Sequence, residues 1–362
     1  MFKAPEAPTR DQFFDQLRMG FVFAPGEQWE TGLRFTAGDI NTGFAGNPLS
    51  AQFSVADNGS HKFVLIDQMF VRWKPSLGPD AKAAITFGKN ENLFYVPSRI
   101  LFDADYMPEG MTEEYSRQLS PRHRLWFAAG QYMLDDIAST AKDPWLLAGR
   151  ARWDAQWDAD WQTSLGAGQL RITNAATLTA ANVPNNNRGN TRTAAGALAY
   201  AYRPFYFEAT VTHLLDGMPG YAGKFPITFN ADALHNPGAP ANNNAWTAGL
   251  TLGKAGKAGQ WEVGFRHHHV GADAWWEEML DGDFGAYYRS VPPGWNTDPA
   301  SLAGGFSGGT NLRSNVIRTS YSPYDYLLIS ANLFMNDLIK KIPAGTTDTA
   351  GKRFQFEGTV RF

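Results

Sequence analysis

The 362-residue chain contains no cysteine. That removes disulfide staples, thiolate metal ligands and thiol nucleophiles together. It also lacks any run approaching the roughly 18 consecutive apolar residues that a transmembrane helix needs, so a membrane crossing would have to be made by strands. Hydrocarbon offers no water to backbone N–H and C=O groups, and crossing strands must therefore close into a barrel. There is no excess of either charge: 32 basic residues stand against 35 acidic ones, for a net −3, which gives no ground for a nucleic-acid partner. No HExxH or phosphate-cradling glycine loop occurs, and the sequence suggests no enzyme class and no cofactor. Met1–Arg10 is polar and Pro-rich and does not read as a secretory leader.

What is present is strand and turn chemistry. Aromatics make up 14% of the chain, with 36 glycines and 21 prolines, while the mean hydropathy is negative. Segments of about ten residues alternate apolar with polar or small side chains, the period of 2 expected where one face meets lipid and the other water. In the last of them Phe354, Phe356, Gly358, Val360 and Phe362 share one face, and Arg353, Gln355, Glu357, Thr359 and Arg361 share the other. A helix would mix these two sets.

Fifteen segments read as strands: 13–24, 29–38, 63–74, 82–89, 111–119, 124–134, 145–154, 161–173, 194–203, 205–215, 245–254, 261–270, 311–322, 326–338 and 353–362. Asp67 falls on the apolar side of its strand and the parity near Arg318 is ambiguous, which a β-bulge or a shifted boundary would explain. Connections alternate short and long, as outer-membrane barrels distribute periplasmic turns and extracellular loops. Trp29, Trp73, Trp153, Trp161 and Trp261 stand beside short turns, where an aromatic girdle would lie. The expected fold is an all-β, transmembrane, antiparallel up-and-down barrel over residues 13–362, preceded by a polar, Pro-rich segment 1–12. If the last strand ends in the periplasm, the alternation calls for a sixteenth strand ahead of residue 13. Pro5 and Pro8 argue against residues 1–12 supplying it.

The run ITFGKNENLFYVPSRILFDADYMPEG, residues 85–110, carries a resemblance. Gly88 and Lys89 end a strand, Asn92 and Phe94 follow, and Asp103 and Asp105 lead to Glu109 and Gly110. In this the chain resembles the family of putative porins, bacterial outer-membrane barrels of sixteen-strand type. The family usually has Pro before the Phe, where this chain has Leu93. The terminal RFQFEGTVRF, with Phe362 last, resembles the closing strand that the barrel-assembly machinery reads. The resemblance implies an outer-membrane channel for passive diffusion of small hydrophilic solutes or ions, without enzymatic activity and in contact with outer-membrane lipid. A homotrimer is the assembly it would suggest.

Parity places Arg18, Arg34, Arg72, Arg150, Arg152, Glu208, Glu262, Arg266, Arg353 and Glu357 on lumen-facing positions, together with Glu30 and Lys74. Basic residues predominate, which favours anionic solutes. The loop 90–110 mixes apolar anchors such as Phe94 with Asp103, Asp105 and Glu109, and is the best candidate for a constriction folded into the lumen; the long loop 271–310 is a second. Of His267, His268 and His269, only the first and third could share an ion on a strand, and no acid completes a set. Acid pairs such as Asp103 with Asp105, or Asp281 with Asp283, lack a calcium-loop pattern. Two other readings stay open. One is a soluble carbohydrate-binding β-protein using Trp275, Trp276, Trp295 and Tyr288 as stacking platforms. The other is a barrel sheathing an inserted partner such as an electron-transfer protein.

Overall fold

The computed structural model describes residues 2–3, 13–38, 53–54, 63–138, 141–179, 189–193, 195–281, 283–284, 286–288, 306–340 and 350–361. Sixteen strands join one antiparallel sheet: β1 (Phe2–Lys3), β2 (Arg18–Gly26), β3 (Trp29–Gly38), β4 (Phe63–Trp73), β5 (Ala81–Lys89), β6 (Glu109–Ser120), β7 (His123–Met133), β8 (Trp145–Gln156), β9 (Trp161–Ile172), β10 (Phe205–Leu215), β11 (Phe225–His235), β12 (Asn244–Gly253), β13 (Gln260–Val270), β14 (Leu312–Tyr324), β15 (Leu327–Leu338) and β16 (Gly351–Val360). Each pairs with its neighbour in sequence from β2 to β16, while β1 pairs with β16 through Phe2↔Arg353 and Lys3↔Lys352. The sheet is an up-and-down β-barrel. Phe2–Lys3, expected to lie in a non-strand segment, supplies the sixteenth strand because its two residues pair ahead of the prolines.

The alternation of side chains explains the barrel. Phe229, Leu250, Phe265 and Phe354 are exposed on the outer face, and β11 to β13 place the first three in one row of partners. Inward positions such as Leu170, Tyr206, Thr247 and Ser314 are buried. In β4 the alternation is broken once: Arg34 pairs with Gln68 and Phe35 with Ile66, so Asp67 is the extra residue of a bulge. The bulge turns Asp67 inward, where it is 7% exposed, and resolves the parity conflict in the sequence. Arg318 falls in regular register opposite Gly264 and Asn332, on the inward row with Val316 and Ser320.

One strand was misplaced by sequence reading. Residues 195–204 form no strand; Leu198 and Tyr202 are buried loop anchors. The strand belongs at β11, inside what reads as a long loop 216–244. Short turns therefore run at 27–28, 74–80, 121–122, 157–160, 216–224, 254–259 and 325–326, all at one end. Aromatics gather at that end: Trp29 stacks on Trp73, Trp153 meets His123 and Trp157, Trp161 lies 4.3 Å from His213, and Tyr221, Phe225 and Trp261 pack together.

Candidate functional site

Along the inner wall, basic side chains find acids. Arg18 bonds Asp105 at 2.5 Å, Arg34 bonds Asp67 at 2.5 Å, and Glu30 takes both Arg72 at 2.7 Å and Lys74 at 2.6 Å. Arg152 and Arg124 share Asp154, Arg318 stands 3.5 Å from Glu262, and Arg353 meets Asp283 at 3.0 Å. Glu357 lies opposite Ser330 on the same face. Period-2 geometry puts the strand members of this set on one side of the sheet, the bulge adds Asp67, and loops supply Asp105 and Asp283; where both partners lie on adjacent strands, the pairing follows from opposite charges at one height.

The connection from β5 to β6 crosses the interior and is held by cations of distant strands. Arg150 on β8 is 7% exposed. It makes a two-pronged pair with Glu208 of β10 and donates to the carbonyls of Leu93 and Tyr95 at 2.8 and 3.2 Å. On β13, Arg266 donates to Pro97 O at 2.7 Å and His268 to Ser98 O at 2.9 Å. Wall side chains thus satisfy loop carbonyls that would otherwise lose their hydrogen bonds on burial. Phe94, Leu101 and Phe102 are fully buried, and Phe94 meets Tyr132 edge to face. Glu109 is not among these groups. It opens β6 in register with Lys89 on the outward row and is exposed, because the strand starts ahead of residue 111, where the alternation had placed its beginning.

Two further loops lock onto the first. Trp275 donates to Leu101 O at 2.7 Å, and Asp103 N donates to Met279 O at 2.7 Å. Arg99, in left-handed backbone at φ 60°, bonds Asp281 at 2.6 Å. Burial, reinforced by the nearby Asp281 charge, pushes the Asp103 carboxyl up to about 7; burial and the Asp283 charge likewise raise Asp281. From the connection between β9 and β10, Arg192 pairs with Glu277 where both side chains are wholly buried. There Asn190 donates to the carbonyls of Ala272 and Trp275, and Thr191 and Tyr202 donate to Asp273. Trp275 and Trp276 are 0% and 2% exposed, so neither offers a stacking platform for a sugar. Trp295 and Phe362 lie outside the described residues.

Below this knot, toward the short turns, lies a cavity of about 680 Å³. Its roof includes Pro97, Ser98, Arg99, His268 and Phe284, and its wall carries Glu208, Asp232, Glu262, Arg266 and Arg318. The three histidines behave as strand geometry requires: His268 points inward, while His267 and His269 flank Trp246 on the outer face. Sequence reading missed Arg99, Arg192, Asp273 and Glu277 because their partners lie far along the chain: 182 positions for Arg99 and Asp281, 85 for Arg192 and Glu277, 71 for Tyr202 and Asp273. Only the buried-type cluster WWEEML hinted that the loop carrying Glu277 packs.

The family described as "Putative porin" matches residues 6–198. No curated protein matches the chain. Among solved structures, the high-pH structure of Pseudomonas putida OprB aligns over 96% of this chain and 88% of that one, with 12% identity and a TM-score of 0.56. In-vitro folded OmpT of Vibrio cholerae aligns over 98% and 99% at 11% identity and a TM-score of 0.45. A mutant of the Rh. blastica porin aligns over 99% and 96% at 8% identity and a TM-score of 0.45. At such identities the likeness to OprB speaks for the fold alone.

Proposed function

Since the chain belongs to the porin family that matches its residues 6–198 and is a bacterial outer-membrane β-barrel, we propose that its lumen gives passive passage to small hydrophilic solutes and ions, without catalysis. The observation that carries this reading is the anchoring of residues 93–98 inside the barrel by Arg150, Arg266 and His268. A loop fixed across a lumen by charged walls sets an aperture; a loop that only decorated the surface would have no reason to bury Phe94 and Leu101. The interior on the side of β7 to β14 is occupied by the chain's own loops, which favours small solutes over an inserted protein partner.

Selectivity follows from charge. Arg99, Lys224, Lys254, Arg266 and Arg318 line the cavity against Glu208, Asp232 and Glu262, an excess of positive charge that lowers the barrier for anions. Liposome swelling with refolded protein in sugars and amino acids of graded size tests the reading. Swelling that falls off steeply with solute size is expected; liposomes that hold folded barrel yet swell no faster than empty ones would refute it.

A further inference from the structure

On the inner wall beneath the knot, one position carries no side chain between two arginines. Gly264 of β13 lies opposite Arg318 of β14 and Thr251 of β12, and Arg266 is the next inward residue along β13. A Cβ added at Gly264 would meet no atom closer than Thr251 Oγ1, at 3.3 Å. The glycine leaves a notch open to the cavity, with a guanidinium group on two sides and a hydroxyl on the third. Arg266 and Arg318 are diagonal neighbours on adjacent strands, about 7–8 Å apart at the backbone, which lets side chains of their length converge on one point.

Both guanidinium groups hold donors in reserve. Arg266 donates one hydrogen bond, to Pro97 O, and Arg318 reaches Ser320 and Glu262 through Nε alone, at 3.5 Å to each. Their other N–H groups have no partner among the described residues. Two nearby acids are committed elsewhere: Glu208 is held two-pronged by Arg150, and Asp232 takes a hydrogen bond from Ser98. Neighbouring cations repel, and an oxyanion between them removes that cost while using the planar forks of both. Around the notch the lining is neutral. Thr251 and Asn332 share its row, and Asn230 stands one row above; all three face the cavity. Hydroxyl and amide side chains both donate and accept, which suits a solute rich in hydroxyl groups. The volume of about 680 Å³ falls within the range of pockets that hold small ligands.

We infer that the notch binds a polyhydroxylated carboxylate, a sugar acid of monosaccharide size. Its carboxylate lies over Gly264 between Arg266 and Arg318, and its hydroxyl groups meet Thr251, Asn230 and Asn332. This rests on the passage reading above and narrows it to one class of solute. An uncharged sugar leaves the guanidinium groups without an anion, and a small inorganic anion makes no use of the amide and hydroxyl groups beside them.

Saturation-transfer NMR of the full chain folded in detergent micelles is the test, because it reads binding without requiring conduction. D-glucuronate should give a saturable signal, with D-glucose binding at least about tenfold more weakly. Arg318→Gln should weaken glucuronate roughly 10- to 100-fold, as loss of a charge-assisted contact does. Thr251→Val should weaken it by a smaller factor, and heat-modifiable migration reports that each variant is folded. Equal binding of glucuronate and glucose, full displacement of glucuronate by equimolar inorganic phosphate, or unchanged affinity in both variants would overturn the inference. Barrel that binds glucuronate yet passes no solute would refute the passage reading and leave the site standing; barrel that swells liposomes yet binds no glucuronate would refute the site and leave passage standing.

Discussion

Among individual residues, the acids at the loop junction respond most directly to solution conditions. Asp103 faces Asp281, Asp283 and Asp105, with Arg99 held on Asp281 and Arg18 on Asp105. Its carboxyl ionises near pH 7 in the folded barrel against about 4 when unfolded. The folded state therefore binds the proton more tightly, and the stability this gives the docked loops is full below about pH 4. It declines as pH rises through 7 and is absent above. Hydrogen exchange at the amides of Leu101–Asp103 should accelerate between pH 5 and 8 beyond the intrinsic base catalysis, and Asp103→Asn should abolish that excess. An unchanged excess in the variant would assign the effect elsewhere. Asp103 was legible as a loop acid; its meeting with Asp281 was not, since the two lie on loops at opposite ends of the sequence and no local pattern encodes the contact.

At the level of elements, strands were legible where alternation was strong and both faces had distinct chemistry. β16 and β3 are examples. β11 escaped because its outward row between Ile227 and Ala233 includes only small Ala beside Phe229, and Asp232 sits in its middle. Residues 195–203 mimicked a strand because loop anchors packed into a barrel interior also recur at short intervals. The bulge at Asp67 was legible as a conflict, which is how a bulge announces itself in sequence. Where the constriction-type loop leaves and re-enters the wall, Gly88 and Gly110 are partners with φ of 108° and 153°. A Cβ on Gly88 would come within 2.3 Å of Met69 O, so this position admits glycine alone. Gly88→Ala should lower stability by about 1–3 kcal/mol, read as a lower urea midpoint in the gel-shift assay of folded barrel. An unchanged midpoint would mean that β4 and β5 adjust freely there.

The whole molecule joins a barrel wall, a loop knot filling part of the interior and a charged cavity beneath it. The fold was readable because a barrel repeats one simple pattern many times, and errors in one strand leave the pattern standing. The knot was not, because it depends on meetings among residues 93–103, 190–192 and 273–281 that only the folded wall brings together. The wall arginines were readable as inward-facing groups, yet parity could not tell that Arg150 would hold loop carbonyls while Arg318 would line open space.

Whether the barrel conducts is decided by current through single molecules in planar bilayers under a salt gradient. Discrete open steps are expected, with a reversal potential of the sign given by anion preference that moves toward cation preference in Arg318→Glu. Folded, heat-modifiable barrel that inserts and never passes current, at any voltage, would contradict the channel reading.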